Sequence, residues 1–143
     1  MITFDKAVDW ILKWEGGDKI TNDPSDRGGL TKYGISKRAY PKYDIKNLTL
    51  IEAKTIYKRD YWDKIDGDKI DPKLAMALFN CAVNMGVGRA RMFKEVAKSY
   101  YEVIVLCKDK YNGIVQANKS QRVFLKGWMN RLNDLTAFIE CEG

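Results

Sequence analysis

Trp14-Glu15-Gly16-Gly17-Asp18-Lys19-Ile20-Thr21-Asn22-Asp23-Pro24-Ser25-Asp26-Arg27-Gly28-Gly29-Leu30-Thr31-Lys32-Tyr33-Gly34-Ile35 is where the pattern of this chain changes. Upstream, Phe4, Ala7, Val8, Ile11 and Leu12 recur at helical spacing behind Thr3, an N-cap residue. Trp10 and Trp14 share a neighbouring face. The spacing predicts a helix over residues 4–15, stopped by Gly16-Gly17, with Glu15 in its last turn. Residues 16–35 carry the turn formers Asn22-Asp23-Pro24 and Arg27-Gly28-Gly29. They allow one small β-hairpin, around residues 19–21 and 30–33.

Downstream the pattern is helical again. Thr49-Leu50-Ile51-Glu52 is a capping box opening a helix that ends near Trp62. Asp71-Pro72 starts another, with proline at the first helical position. Its face of Leu74, Ala75, Leu78, Phe79, Ala82 and Val83 is apolar enough for a central buried helix ending at Met85-Gly86. Gly88 begins a further helix with Ala90, Phe93, Val96, Ala97 and Tyr100, and helical pattern continues toward Tyr111, where Asn112-Gly113 threatens a break. The last helix spans about residues 120–140, with Phe124, Leu125, Trp128, Met129, Leu132, Leu135, Phe138 and Ile139 on one side. The chain is expected to be mostly α, five to seven helices with at most a small hairpin after the first.

A length of 143 residues suits a single domain able to bury a real core. The formal net charge of +6 points to an anionic partner or to a solvated basic surface. Without histidine, imidazole acid–base chemistry and His-ligated zinc are excluded. Cys81, Cys107 and Cys141 are odd in number and lack a C-x-x-C pair, so reduced thiols are expected and no metal site. No run of about 18 apolar residues exists for a membrane span. No basic region followed by an apolar run opens the chain, so no signal peptide is expected. No helix is dense in Lys/Arg on one face, which argues against nucleic acid as a partner.

A carboxylate on a helix end, facing polar groups on a glycine-shaped loop, is how a glycosidase site can be built. Such a reaction needs a proton donor to the leaving oxygen and stabilisation of an oxocarbenium-like transition state. Glu15, beside Trp14 and Trp10, is the candidate acid, and burial beside aromatics can keep such a carboxyl protonated. Asp23 and Asp26 follow closely enough for the loop to fold back, and the Thr31 hydroxyl is suited to hold a water. Each has a plainer reading: Glu15 as a surface carboxylate, and both aspartates as turn formers. Asp18, Asn22, Asp23 and Asp26 are also oxygen donors, but their spacing fails the EF-hand pattern. Trp10, Trp14, Tyr33 and Trp62 are either sugar-stacking rings or core.

Glu15-Gly16-Gly17, Asp23-Pro24, Asp26, Gly28-Gly29, Thr31 and Gly34-Ile35 together resemble the signature of glycoside hydrolase family 108, muramidases that include phage endolysins and secretion-activating proteins. Leu48-Thr49 with Glu52-Ala53, Ile56-Tyr57 and Tyr61-Trp62 resemble the family's next helix. Leu78-Phe79-Asn80 and Val83-Asn84-Met85-Gly86 resemble its central helix, and Phe124 through Arg131 its F-x-x-G-W-x-N-R element. The resemblance is densest over residues 1–86, the catalytic signature region; residues 87–143 would be C-terminal helices, shortened relative to the family.

The resemblance implies a lysozyme-like helical fold cutting the β-1,4 bond between N-acetylmuramic acid and N-acetylglucosamine of peptidoglycan. It makes Glu15 the general acid, and Asp26 and Thr31 the second carboxylate and hydroxyl, with Asp23 competing for the carboxylate role. Asp23, Tyr33, Asn84 and Asn130 would contact substrate, with Asn130 and Arg131 either lining the cleft or capping and packing the last helix. No cofactor is implied, and a monomer is expected. The implied setting is a phage or prophage endolysin made in the host cytoplasm and acting on the cell wall after release. The alternative is a non-catalytic wall-binding or secretion-accessory module, which would be expected to have lost Glu15. The chain departs from the family pattern at Asp18, where Tyr is usual, and at Asn80, where Asp is common.

Overall fold

The computed structural model describes residues 1–22 and 29–143. The Thr3 hydroxyl accepts the Lys6 N–H at 3.3 Å and opens helix α1 (Phe4–Trp14). Ala7, Val8, Trp10, Ile11 and Leu12 form its buried face. The helix ends as the two glycines require. The Glu15 N–H closes on the Ile11 carbonyl at 3.0 Å, and the Gly17 N–H reaches back to Leu12 at 2.9 Å. Between them Gly16 sits at φ 90°, a conformation that costs a residue with a Cβ far more. Glu15 is therefore the C-cap itself, fixed on a rigid helix end.

The hairpin gains a third strand. Strands β1 (Thr21–Asn22), β2 (Leu30–Lys32) and β3 (Ile35–Ser36) form an antiparallel sheet in that order. Thr31 lies opposite both Thr21 and Ser36. Tyr33 and Gly34 connect β2 to β3 with φ of 55° and 76°. Two positive φ values in a two-residue turn match the twist of a hairpin, which is why the third strand forms.

Helix α2 (Leu50–Tyr57) starts with the expected capping box: the Glu52 N–H donates to Thr49 at 3.1 Å, and the Thr49 N–H donates to Glu52 at 3.0 Å. The chain then widens into a π turn over Lys58–Trp62 and two 3-10 turns ending at Lys69. Helix α3 (Pro72–Met85) is capped by Asp71, whose carboxylate accepts the Leu74 N–H at 3.0 Å. Every residue from Ala75 to Ala82 is buried. Helices α1, α4 (Val87–Val96), α5 (Tyr100–Ala117) and α6 (Arg122–Glu142) all pack against α3.

The helical pattern from Gly88 to Tyr111 is interrupted once. Ala97 is extended and Ser99 caps a new helix by accepting the Glu102 N–H at 3.3 Å. Asn112-Gly113, by contrast, breaks nothing: burial of Val103, Ile104, Cys107 and Tyr111 holds α5 together across it. Burying such side chains contributes about 1.5–3 kcal/mol each, more than the roughly 1 kcal/mol a mid-helix glycine costs. At the opposite end of the core, Trp62 meets Phe4 and Phe79 edge-on, with ring centroids 5.5 and 5.2 Å apart. Trp62 is buried, with its indole N–H on Asp68, and offers no face to a sugar. Cys81 and Cys107 are buried free thiols. Among the described residues no helix is long and apolar enough to cross a membrane.

Candidate active site

Helix α6 supplies the groups that close on the end of α1. Arg131 donates from Nη1 to Glu15 Oε2 at 2.7 Å and from Nε to Asn80 Oδ1 at 2.9 Å. The Arg131 side chain is only 8% exposed and that of Glu15 23%, so most of this ion pair is withdrawn from water. The guanidinium carbon also lies 5.6 Å from the Trp10 ring and 6.0 Å from the Trp14 ring. One turn further along α6, the Asp134 carboxylate accepts both indole N–H groups, from Trp10 at 3.1 Å and Trp14 at 2.8 Å. Asn80 is a neutral acceptor, so among the described residues Glu15 alone offsets the Arg131 charge. Among the described residues, Arg131 Nη2 has no hydrogen-bond partner. A buried donor left unmade costs about 1–3 kcal/mol, so it is a place for a water or a ligand oxygen.

The sheet meets the same helix end. The Tyr33 N–H donates to the Gly17 carbonyl at 3.1 Å, and the Tyr33 carbonyl accepts the Tyr57 hydroxyl at 2.7 Å. These bonds hold Tyr33 in a left-handed conformation that bulky residues seldom adopt. Gly34 is thereby pressed against the acid. A Cβ there would lie 2.6 Å from the Tyr57 hydroxyl and 2.7 Å from Glu15 Cβ. Burial, then the nearby Glu15 charge, push the Tyr57 hydroxyl above the usual tyrosine range, so it stays a protonated donor to the loop. Burial likewise raises Tyr61, with Asp60 and Glu15 adding to it.

Glu15, Tyr33 and Gly34 are thus brought together, with Tyr57, Asn80 and Arg131 around them. Thr31 sits half-buried on β2, its hydroxyl donating to the Gly29 carbonyl at 3.2 Å. Trp10 is core, whereas Trp14 remains 38% exposed beside Glu15. Asp23 and Asp26 lie outside the described residues. Asn130 is exposed on α6 and makes no hydrogen bond among the described residues. Asn84 lies elsewhere, donating to the Tyr111 hydroxyl at 3.2 Å. Arg131, which the sequence offered beside Asn130 either as a cleft residue or as packing of the last helix, is the one the structure sets on Glu15 and Asn80. Its signal was present: it interrupts the apolar stripe Trp128, Leu132, Leu135 at helical spacing, where an arginine needs a buried partner.

The family described as Glycosyl hydrolase 108 matches residues 8–86, from the buried face of α1 to the glycine after α3. That span holds Glu15, Gly34, Tyr57 and Asn80. The fold is similar to a solved structure of Brucella abortus SagA, with a TM-score of 0.74 and 26% identity over 96% of this chain and 94% of that one. No curated protein matches the sequence. The matched span covers more than half of the chain and contains the carboxylate, its loop and its central helix, and the chain belongs to the glycosyl hydrolase 108 family.

Proposed function

We propose that this protein is a peptidoglycan hydrolase of muramidase type, cutting the β-1,4 bond between N-acetylmuramic acid and N-acetylglucosamine. The observation that carries the reading is the Glu15 carboxylate, held on a capped helix end by Arg131 and flanked by the Tyr33–Gly34 turn. In this reading Glu15, ion-paired with Arg131 in the resting enzyme, first takes up a proton from solvent and then gives it to the glycosidic oxygen as the bond to the anomeric carbon breaks. A water adds its oxygen to that carbon and passes its proton to a second carboxylate. Asp26, with Asp23 as competitor, is the proposed second carboxylate, and the Thr31 hydroxyl is proposed to orient the water. A gap of about 6.5–9.5 Å between the two carboxyls would make the reaction inverting, and about 5–5.5 Å retaining. Arg131 acts as a positioning residue: it fixes the rotamer of Glu15. The formal charge of +6 favours adhesion to an anionic wall. The proposed setting is release from the cytoplasm onto the wall, as in phage lysis.

The test is digestion of purified peptidoglycan by wild type and Glu15→Gln, with new sugar ends identified by mass spectrometry after borohydride reduction. Reducing N-acetylmuramic acid ends from wild type alone are expected. Reducing N-acetylglucosamine ends would change the bond. Equal activity in the variant would remove Glu15 from the chemistry. Wall binding without any new ends would make the protein a binding module.

A further inference from the structure

A second cavity opens one helical turn from Asn80 and Arg131, the residues that hold the candidate acid. Asn84 follows Asn80 by four residues on α3, and Trp128 precedes Arg131 by three on α6. Both pairs share a helix face, about 5–6 Å apart. The cavity, of about 240 Å³, lies there, lined by Asn84, Arg89, Lys110, Tyr111 and Trp128 among others. It therefore continues the α3–α6 seam that holds Arg131 against Glu15.

Its chemistry is cationic. Arg89 and Lys110 bring two positive charges, and no described carboxylate lines the cavity. Both side chains are half-buried, and neither makes an ion pair or hydrogen bond among the described residues. The contrast is the larger cavity of about 390 Å³ beside Phe4. There Lys54, Lys58 and Arg59 are each satisfied by an aspartate, Asp9, Asp63 and Asp60 respectively. Two half-buried cations without counterions among the described residues favour an anionic ligand. Polar groups for it stand beside them: Asn84 donates to the Tyr111 hydroxyl, whose own proton has no acceptor among the described residues.

A sugar ring fits this cavity poorly. Trp128 already stacks on Tyr111, with centroids 4.6 Å apart and planes 18° off parallel, and on Phe124 at 5.9 Å. Protein rings occupy the place a pyranose would need. The volume also falls below the roughly 300 Å³ at which ligand pockets usually begin, which suits one small charged group.

We propose that this cavity is a subsite for a free carboxylate of the peptide stem carried by muramic acid. The assignment rests on the muramidase reading, because the stem branches from the sugar that this reading places at Glu15. A carboxylate on that branch would have to extend along the α3–α6 seam, past Arg131, to the next helical turn. Arg89 and Lys110 would neutralise it, and Asn84 and Tyr111 would hydrogen-bond it.

The experiment uses soluble, uncrosslinked glycan chains freed of wall phosphate polymers, either stem-bearing or stripped of stems by an amidase. Initial rates of new reducing ends give kcat and KM for wild type, Arg89→Gln/Lys110→Gln and the charge-conserving Arg89→Lys/Lys110→Arg. Wild type should show a KM about tenfold or more lower for stem-bearing chains, the size expected of one or two charge-assisted hydrogen bonds. The glutamine variant should bring the two KM values together, and the charge-conserving variant should keep most of the difference. Discrimination that survives in the glutamine variant, or is absent from wild type, overturns the subsite while leaving the muramidase reading standing. New ends from neither substrate would overturn that reading and the subsite with it.

Discussion

At the scale of single residues, the geometry around Glu15 depends on two contacts that differ in kind. Arg131 holds the carboxylate by charge, at 2.7 Å. Gly34 holds its stem by close approach, with no room for a side chain. Glu15→Gln keeps the shape and an acceptor for Arg131 but removes its counterion. We expect abolished turnover with a fold that persists at a cost of less than about 3 kcal/mol, read by thermal denaturation beside the peptidoglycan digest. Gly34→Ala leaves the carboxylate untouched, yet its Cβ would force Tyr57 and Glu15 apart at a φ that disfavours alanine. Its expected cost is roughly 1–3 kcal/mol, with a fall in kcat at a temperature where it remains folded. Wild-type kcat and stability in Gly34→Ala would show that the turn does not position the acid.

At the scale of elements, caps and burial decide where helices begin and where they survive poor residues. Thr3, Thr49, Asp71 and Ser99 each accept an N–H from the first turn they open. Helix α5 tolerates Gly113 because its other face is buried, and a Cβ at Gly113 would meet nothing within 4 Å. Gly113→Ala should therefore stabilise the protein by about 0.5–1 kcal/mol, measured as a shift in the denaturant midpoint at unchanged slope. A destabilised variant would mean that α5 is distorted at Asn112-Gly113. Thr49, the two glycines and the Asp71-Pro72 start were legible in sequence because caps act within four residues. The stop at Ala97 was not, since the apolar spacing runs straight through it and only Ser99 marks the restart.

At the scale of the whole molecule, four tyrosines tie stability to pH. Burial is the first cause that raises Tyr40, Tyr57, Tyr61 and Tyr111. A tyrosine is neutral when protonated, so the folded chain retains protons that the unfolded chain releases near pH ~10. Their contribution is complete below that pH and is lost as pH climbs toward the folded-state values. Calorimetry should show a Tm that is steady near pH ~8 and falls beyond pH ~10, with Tyr57→Phe flattening the fall. A Tm unchanged to about pH 11 would contradict this. In acid the sign reverses for Asp60. The Arg59 guanidinium, then the Tyr40 hydroxyl, hold its carboxyl below the usual range, and that contribution fades as pH drops through the lowered value.

The amino-acid sequence by itself determined the helical class, most helix starts, the buried face of α3 and the placing of Glu15 at a helix end. These follow from periodicity and from caps, which are local. The sequence also marked Thr31, Asp23 and Asp26 as site candidates by motif, of which the aspartates lie outside the described residues. Only the tertiary structure decided what faces Glu15. Arg131 is 116 residues away in the chain and reaches the acid because α6 runs antiparallel alongside α1, from Lys6–Glu142 through Trp10–Phe138 to Glu15. The same pairing turns Trp10 and Trp14 toward Asp134, so that Trp10 is core while part of Trp14 stays open. No local rule encodes such a meeting. It is set by how the apolar stripes of α1, α3 and α6 are buried together, and the charges ride on that packing.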